Sequence, residues 1–246
     1  MPARQKKVIF CIAGVLSFAC ALGIAAAIGT QLWIKGTTLC KTGALLVNAT
    51  GPELEKFIGE IQYGLFYGER VRQCGLGGRP FRFSFFPDLL KIIPASIHIS
   101  VILFCTVLLI FALVGTGFFM YNAFGNPCET LHGPVGLYLW SFISFSHLWI
   151  SDFSCSVSGS CGCLVMILFS SEVKIHHLSE KIANYEEGSF IFKTHSEQFE
   201  NSFWIILACS LVYFLNVLLI RLAGFEFPFS KTKDSQPATG AVDLMY

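Results

Sequence analysis

The chain has 246 residues, of which 54% are hydrophobic and only 13% charged, with a formal net charge of +1 and a mean hydropathy of +0.62. A water-soluble domain carries about 25% charged residues, so a soluble globular fold is excluded, and a near-neutral balance gives no reason to expect nucleic acid as a partner. The charges crowd between long apolar runs, the pattern of a polytopic membrane protein whose first partner is the lipid bilayer.

Residues 1–7 hold Arg4, Lys6 and Lys7, a basic flank that favours a cytoplasmic N-terminus. Residues 8–33 form the first span, with no charge until Lys35. A cleaved signal peptide ending at Ala25-Ala26-Ala27 fits less well, because signal cores run about 7–15 apolar residues and this run is longer. Ala13, Ser17, Ala21, Ala25 and Gly29 recur every four residues. They are expected to form one narrow face for close helix approach, either within the bundle or across a dimer.

Residues 34–91 are the first long loop. Its eight Lys and Arg residues do not forbid export, since long loops translocate largely regardless of charge. Asn48-Ala49-Thr50 is the one N-x-[ST] acceptor in the chain; glycosylation of Asn48 is expected, which places this loop outside. Cys40 and Cys74 are the two cysteines placed clearly on the exported side. In an oxidising compartment they form a disulfide candidate, the alternative being two free thiols. "FRFSFF" (Phe81–Phe86) alternates apolar and polar residues, a half-buried strand signal, and Gly75–Gly78 before it reads as a turn. A small sheet lying on the helices is expected.

Residues 92–121 form the second span, with His98 as its one ionisable group. Residues 122–133 form a short cytoplasmic loop in which Cys128, beside the membrane, is a candidate for palmitoylation. Residues 134–172 form the third span. Between Glu129 and Glu172 the single formal charge is Asp152, yet the stretch is about twice the length a crossing needs.

Residues 173–201 form the second external segment. Val173, Ile175, Leu178, Ile182 and Tyr185 fall loosely on one helical face, so the third helix is expected to run on past the membrane. Adjacent His176 and His177 point apart and do not chelate one ion. Residues 202–222 are the fourth span, stopped by Arg221, and residues 223–246 are a polar tail. An even number of spans returns the C-terminus to the cytoplasm. The terminal Leu244-Met245-Tyr246 fits a PDZ ligand.

The whole reading is an all-α membrane fold: a four-transmembrane-helix bundle with a small extracellular β-sheet in the first loop, multi-pass in the cell membrane, both termini cytoplasmic. His98, Asn216 and a few hydroxyls are the polar groups of spans one, two and four, and none has an evident partner. A transporter needs polar groups converging at the midplane, and a membrane enzyme needs a nucleophile with a base, or a metal cluster. Neither pattern is present, so no enzyme, metal site or cofactor is expected.

Longer segments carry a resemblance. "KKVIFCIAGVLSFACALG", "LCKTGALLVNATG", "VRQCGLGGRPFRFSFFPDLLKIIP", "GSCGCLVMILFSSEVKIHHLSEKIANY", "LLIRLAGFEFPF" and "DLMY" closely resemble the clarins over nearly the whole chain. The resemblance implies a tetraspan glycoprotein of sensory hair cells and photoreceptors, distantly grouped with claudins, peripheral myelin protein and tetraspan auxiliary subunits of channels. Gly64-Leu65-Phe66 followed by Cys74 looks like a worn claudin Gly-Leu-Trp…Cys…Cys signature. Phe66 replaces the Trp, and no second Cys lies within ten residues of Cys74, which leaves Cys40 as the candidate partner outside the membrane.

In the clarin pattern "SFIS" runs directly into "GSCGCLV", whereas here Phe145–Ser158 stands between them. The resemblance implies a splice variant carrying this segment as an insert of about four helical turns. Because Asp152 and His147 are costly at the bilayer centre, the helix is expected to slide until about Phe153–Ser171 occupy the membrane. Trp140 and Trp149 then lie at headgroup depth, with a kink or break in the Ser-rich "DFSCSVSGS". The function implied is organisation or maintenance of membrane–cytoskeleton and junction or synapse structure in sensory cells, supporting hearing, balance and vision; the alternative is an auxiliary subunit of a channel complex. The implied partners are a PDZ or actin-linked scaffold at the C-terminus, other membrane proteins and a second copy of the chain.

Overall fold

A computed structural model of the chain describes residues 3–87, 89–124 and 134–224. Four long helices, α1 (Ala3–Gly29), α3 (Ala95–Phe124), α4 (Pro134–Lys174) and α6 (Asn201–Gly224), carry the apolar runs. Their apolar stretches are Val8–Gly29, Ala95–Tyr121, Asp152–Lys174 and Asn201–Arg221, each long enough to cross a bilayer. The helices form a ring in the order α1, α3, α4, α6, each packed on its two neighbours.

The stripe that α1 turns inward is Phe10, Ala13, Ser17, Cys20, Ala21, Ile24 and Ala27. Ala13, Ser17 and Ala21 of the four-residue row belong to it, whereas Ala25 and Gly29 are exposed. The difference is geometric: at 3.6 residues per turn a row spaced by four rotates about 40° per step, so it leaves the packed face within four steps. Ser17 donates to the Ala112 carbonyl at 3.3 Å and accepts from Thr116 at 3.0 Å, which seats α1 on α3 where an apolar helix has few other directional contacts.

Helix α4 has 41 residues and runs unbroken through "DFSCSVSGS", which corrects the expected break. Ser154 and Ser158 are buried, and Ser154 donates to the Phe111 carbonyl of α3 at 2.9 Å. The neighbouring helix takes that hydroxyl, so it does not compete for the backbone of its own turn. Asp152 accepts from Arg221 Nη2 at 2.6 Å and Nε at 3.1 Å, joining α4 to the end of α6.

At the opposite end of the bundle lies a five-stranded antiparallel sheet in the order β4-β3-β2-β1-β5. The first loop supplies β1 (Ile34–Cys40), β2 (Ile58–Tyr63), β3 (Tyr67–Gln73) and β4 (Gly78–Ser84), with the short helix α2 (Lys41–Leu46) after β1. Strand β4 alternates as its sequence requires: Phe83 is buried, Arg82 and Ser84 are exposed, and Phe85 just beyond it is buried. Gly75 and Gly77 in the turn before it have φ of 88° and 93°, which glycine adopts without penalty.

The second segment differs from expectation. Helix α4 stops at Lys174, His177 takes φ 50°, a short helix α5 (Leu178–Ala183) follows, and Phe192–Phe199 forms β5. Ile175 is 69% exposed instead of facing a core. Strand β1 would otherwise present a free row of backbone N–H and C=O groups, and pairing with β5 satisfies them. That gain outweighs a loose helical periodicity. The register runs from Ile34↔Phe199 to Cys40↔Phe192 with a shift between Thr37 and Thr38. Gly36 is required here, because a Cβ at that position would lie 2.6 Å from the Ser196 carbonyl oxygen.

One apolar core runs through both parts. Ile34, Ile61, Tyr63, Leu65, Phe83 and Phe85 of the sheet region join Val101, Phe169 and Val173 of the helices. A second, smaller core at the far end of the sheet gathers Cys40, Ala44, Phe57, Ala183 and Phe192.

Candidate functional site at the sheet–bundle junction

The buried histidine, glutamate and arginine side chains, His98, Glu172 and Arg70, lie at or beyond the end of the bundle that carries the sheet. His98, one turn into α3, and Glu172, near the end of α4, are both fully buried, with Nδ1 at 3.0 and 3.1 Å from the two carboxylate oxygens. His98 Nε2 lies 2.8 Å from the Leu65 carbonyl oxygen. A carbonyl only accepts, so Nε2 carries a hydrogen and donates it. One further proton lies between Nδ1 and Glu172. The ring stacks on Phe85 at 4.5 Å. A buried charge is tolerated only when paired and hydrogen-bonded, and here one cluster ties α3, α4 and the β2–β3 turn together. The expectation that His98 has no partner is thereby corrected.

A second chain of contacts crosses from the sheet to the second segment. Tyr63 and Ser179 share a hydrogen bond of 2.9 Å, Ser179 donates to Glu197 at 2.9 Å, and Lys174 donates to Glu197 at 2.8 Å. Burial pushes the Tyr63 phenol well above its ordinary range, so the hydroxyl stays neutral. Trp33 Nε1 donates to the Ala27 carbonyl at 2.7 Å, and its ring meets Phe169 edge-on at 4.8 Å. Those contacts fix the point where β1 leaves α1.

The third cluster centres on Arg70 of β3, which is buried. Nη1 donates to the Ile182 carbonyl and, at 2.7 Å, to Ala183; Nη2 donates to Tyr185 at 2.6 Å and pairs with Glu187 at 3.3 Å. Arg72 pairs with the same carboxylate oxygen at 2.7 Å, and both guanidinium groups lie within 4.9 Å of the Phe81 ring centre. Burial, then Arg72, lowers the Arg70 pKa to about 10, so the group remains charged at neutral pH. A planar fork suits this position because it supplies several donors at once to the carbonyls at and just past the end of α5, where a helix leaves its last carbonyls without intrahelical donors.

Gly64, Leu65 and Phe66 enter this junction. A Cβ on Gly64 would collide with the Thr30 carbonyl oxygen, Leu65 is buried, and Phe66 lies 6.2 Å from Phe86. Cys40 and Cys74 are joined, with Cα atoms 5.5 Å apart, and Cys40 lies in the distal core. Asn48 is exposed, in a turn with φ 48° just after α2. Cys128 and Leu244, Met245 and Tyr246 lie outside the described residues. Among the described residues no group of three metal-ligating side chains converges. Glu172, Ser179, Arg70 and Glu187 escaped sequence reading. The signal available for the first was a carboxylate at the end of an apolar span, which is rarely left unpaired.

The chain matches a known protein family. The family described as Clarin-2-like matches residues 5–220. The chain is similar to Clarin-1 of Homo sapiens, 68% identical over 246 residues covering all of both chains, and to Clarin-1 of Mus musculus, 64% identical with the same coverage. It is 38% identical to Clarin-2 of Homo sapiens, again over all of both chains.

Proposed function

The chain belongs to the clarin family, and on that premise we propose that it is a tetraspan membrane glycoprotein that organises membrane–cytoskeleton and junction or synapse structure in sensory cells, in support of hearing, balance and vision. The termini lie in the cytosol and the sheet lies outside the cell membrane, with Asn48 glycosylated and the Cys40–Cys74 bond formed on export. The tail presents Leu244-Met245-Tyr246 to a PDZ or actin-linked scaffold, and Cys128 accepts a palmitoyl chain. Other membrane proteins, or a second copy, approach the lipid-facing surfaces of the helices. The role is structural; the chain performs no enzymatic step.

The pairing of β5 with β1 carries this reading. It fuses the two external segments into one surface, and the buried contacts of His98, Tyr63 and Arg70 hold that surface in a fixed relation to the spans. A fixed outer surface joined to a cytoplasmic tail connects contacts on one side of the membrane to a scaffold on the other. The test compares wild type with Arg70→Met in sensory epithelial cells. Wild type should gather its neighbours at the surface, and the variant, though inserted, should gather fewer. Purified protein that by itself conducts ions in liposomes would overturn the organising role, whereas altered gating of a co-expressed channel would favour the auxiliary-subunit reading.

A further inference from the structure

The end of the sheet farthest from the helices carries an uncovered apolar surface. Leu45, Leu46 and Val47, at the end of α2, are 63%, 77% and 61% exposed. They follow Cys40, the last residue of a seven-residue strand that begins at Ile34, close to the end of α1. At about 3.4 Å per residue, this places them roughly 20 Å beyond the first span, so lipid does not cover them. Beside them is a groove of about 290 Å³ whose walls include Leu39, Ala44, Leu45, Ala49 and Leu54. Asn48 and Thr50, the two defining residues of the acceptor tripeptide, also line it.

We propose that the glycan on Asn48 is the cover of this surface: its first N-acetylglucosamine units seat in the groove and shield Leu45, Leu46 and Val47 from water. The inference rests on the outward orientation of the sheet given above. Each of these sugars has an apolar face of C–H groups and an acetamide methyl, which match an apolar wall, and hydroxyls that remain in water. Attachment at the wall of the groove gives the sugar a high effective concentration that a free partner lacks. Bare, three adjacent exposed apolar side chains on an exported surface invite association with other chains.

Asn48 has a second duty that the test must separate. It closes α2 in the left-handed conformation, with Ala49 N–H donating to the Ala44 carbonyl at 3.0 Å, a cap for which glycine is preferred and asparagine is the common substitute. Asn48→Gln would damage cap and acceptor together. Asn48→Gly keeps the cap, and Thr50→Ala leaves the cap residue untouched; both abolish the acceptor.

The experiment is hydroxyl-radical footprinting of the full chain, made in mammalian cells and held in nanodiscs, with a glycosidase mobility shift as a control. The two variants should show oxidation of Leu45, Leu46 and Val47 several-fold above wild type, while Tyr67 at the other end of the sheet is unchanged. Equal oxidation in glycosylated wild type and both variants overturns the proposal alone. A wild type that shows no glycosidase shift overturns it together with the outward orientation. Protection that persists in the variants and is lost on dilution assigns the surface to a second copy and also overturns it.

Discussion

His98 and Glu172 meet at 3.0 Å across 74 residues of sequence, with no exposed surface on either side chain. Because His98 also donates to Leu65, two spans and the turn between two strands share one buried cluster. Removing one member strands the other: His98→Ala or Glu172→Ala should each cost about 3–5 kcal/mol. Thermal unfolding in detergent should show a large loss for each single change. The paired replacement His98→Phe with Glu172→Leu should recover much of it, since removing both partners of a buried pair is often close to neutral. Single changes that leave the melting temperature unaltered would contradict the cluster's role.

Arg70→Met should loosen the second segment rather than the bundle. It removes the guanidinium donors to the carbonyls of Ile182, Ala183 and Tyr185; Ile182 keeps the Tyr185 N–H, and a buried carbonyl left unpaired at Ala183 costs roughly 1–3 kcal/mol. Limited proteolysis should show faster cleavage within residues 184–191, with Arg70→Lys intermediate because it keeps the charge but loses the fork. The sign of the pH dependence follows from the lowered pKa of about 10 against an ordinary 12.5. The unfolded chain holds more protons only between those values, so stability from this group rises with pH in that window and is flat below it. The clasp should be indifferent to pH across the neutral range.

Gly36→Ala and Gly29→Ala make a contrasting pair. At Gly36 a Cβ meets the Ser196 carbonyl oxygen at 2.6 Å, whereas at Gly29 nothing lies within 4 Å. The first should cost roughly 1–3 kcal/mol, the range for overpacking, and the second almost nothing. Chemical denaturation of both variants checks this, and a Gly36→Ala chain as stable as wild type would show that β5 does not sit where it is placed.

Spans and β4 are legible in the sequence because their signals are local: an apolar run of sufficient length, and the strict alternation around Phe83. Strand β5 is not. Phe192–Phe199 reads as polar and charged, and its strand state comes from the partner it completes, about 160 residues earlier in the chain. The small-residue row of α1 is half legible: the spacing finds Ala13, Ser17 and Ala21, and helical rotation carries Ala25 and Gly29 away. Arg70 and Glu172 look like ordinary loop and helix-end charges until the fold encloses them. The Cys40–Cys74 pair is legible for a compartmental reason, since both fall in the one long first loop.

Removing that pair gives the fourth prediction. Cys40→Ser with Cys74→Ser opens a loop with a sequence separation of 34, for which loop-closure entropy gives roughly 3–4 kcal/mol. The loss should fall on the distal core, where Cys40 packs with Phe57, Ala44 and Phe192. Proteolysis within residues 41–57 should accelerate, while the buried pair of His98 and Glu172 keeps the bundle end of the sheet in place.

The central claim is that one sheet, outside the membrane, is built from both loops. Thr37 and Ser196 are register partners on β1 and β5, with hydroxyl oxygens 2.9 Å apart. On intact cells, an impermeant thiol reagent should label Thr37→Cys and Ser196→Cys singly, and should fail to label the double variant until it is reduced, because the two thiols have joined. A double variant that labels fully without reduction, or single variants that label only after permeabilisation, would contradict the account.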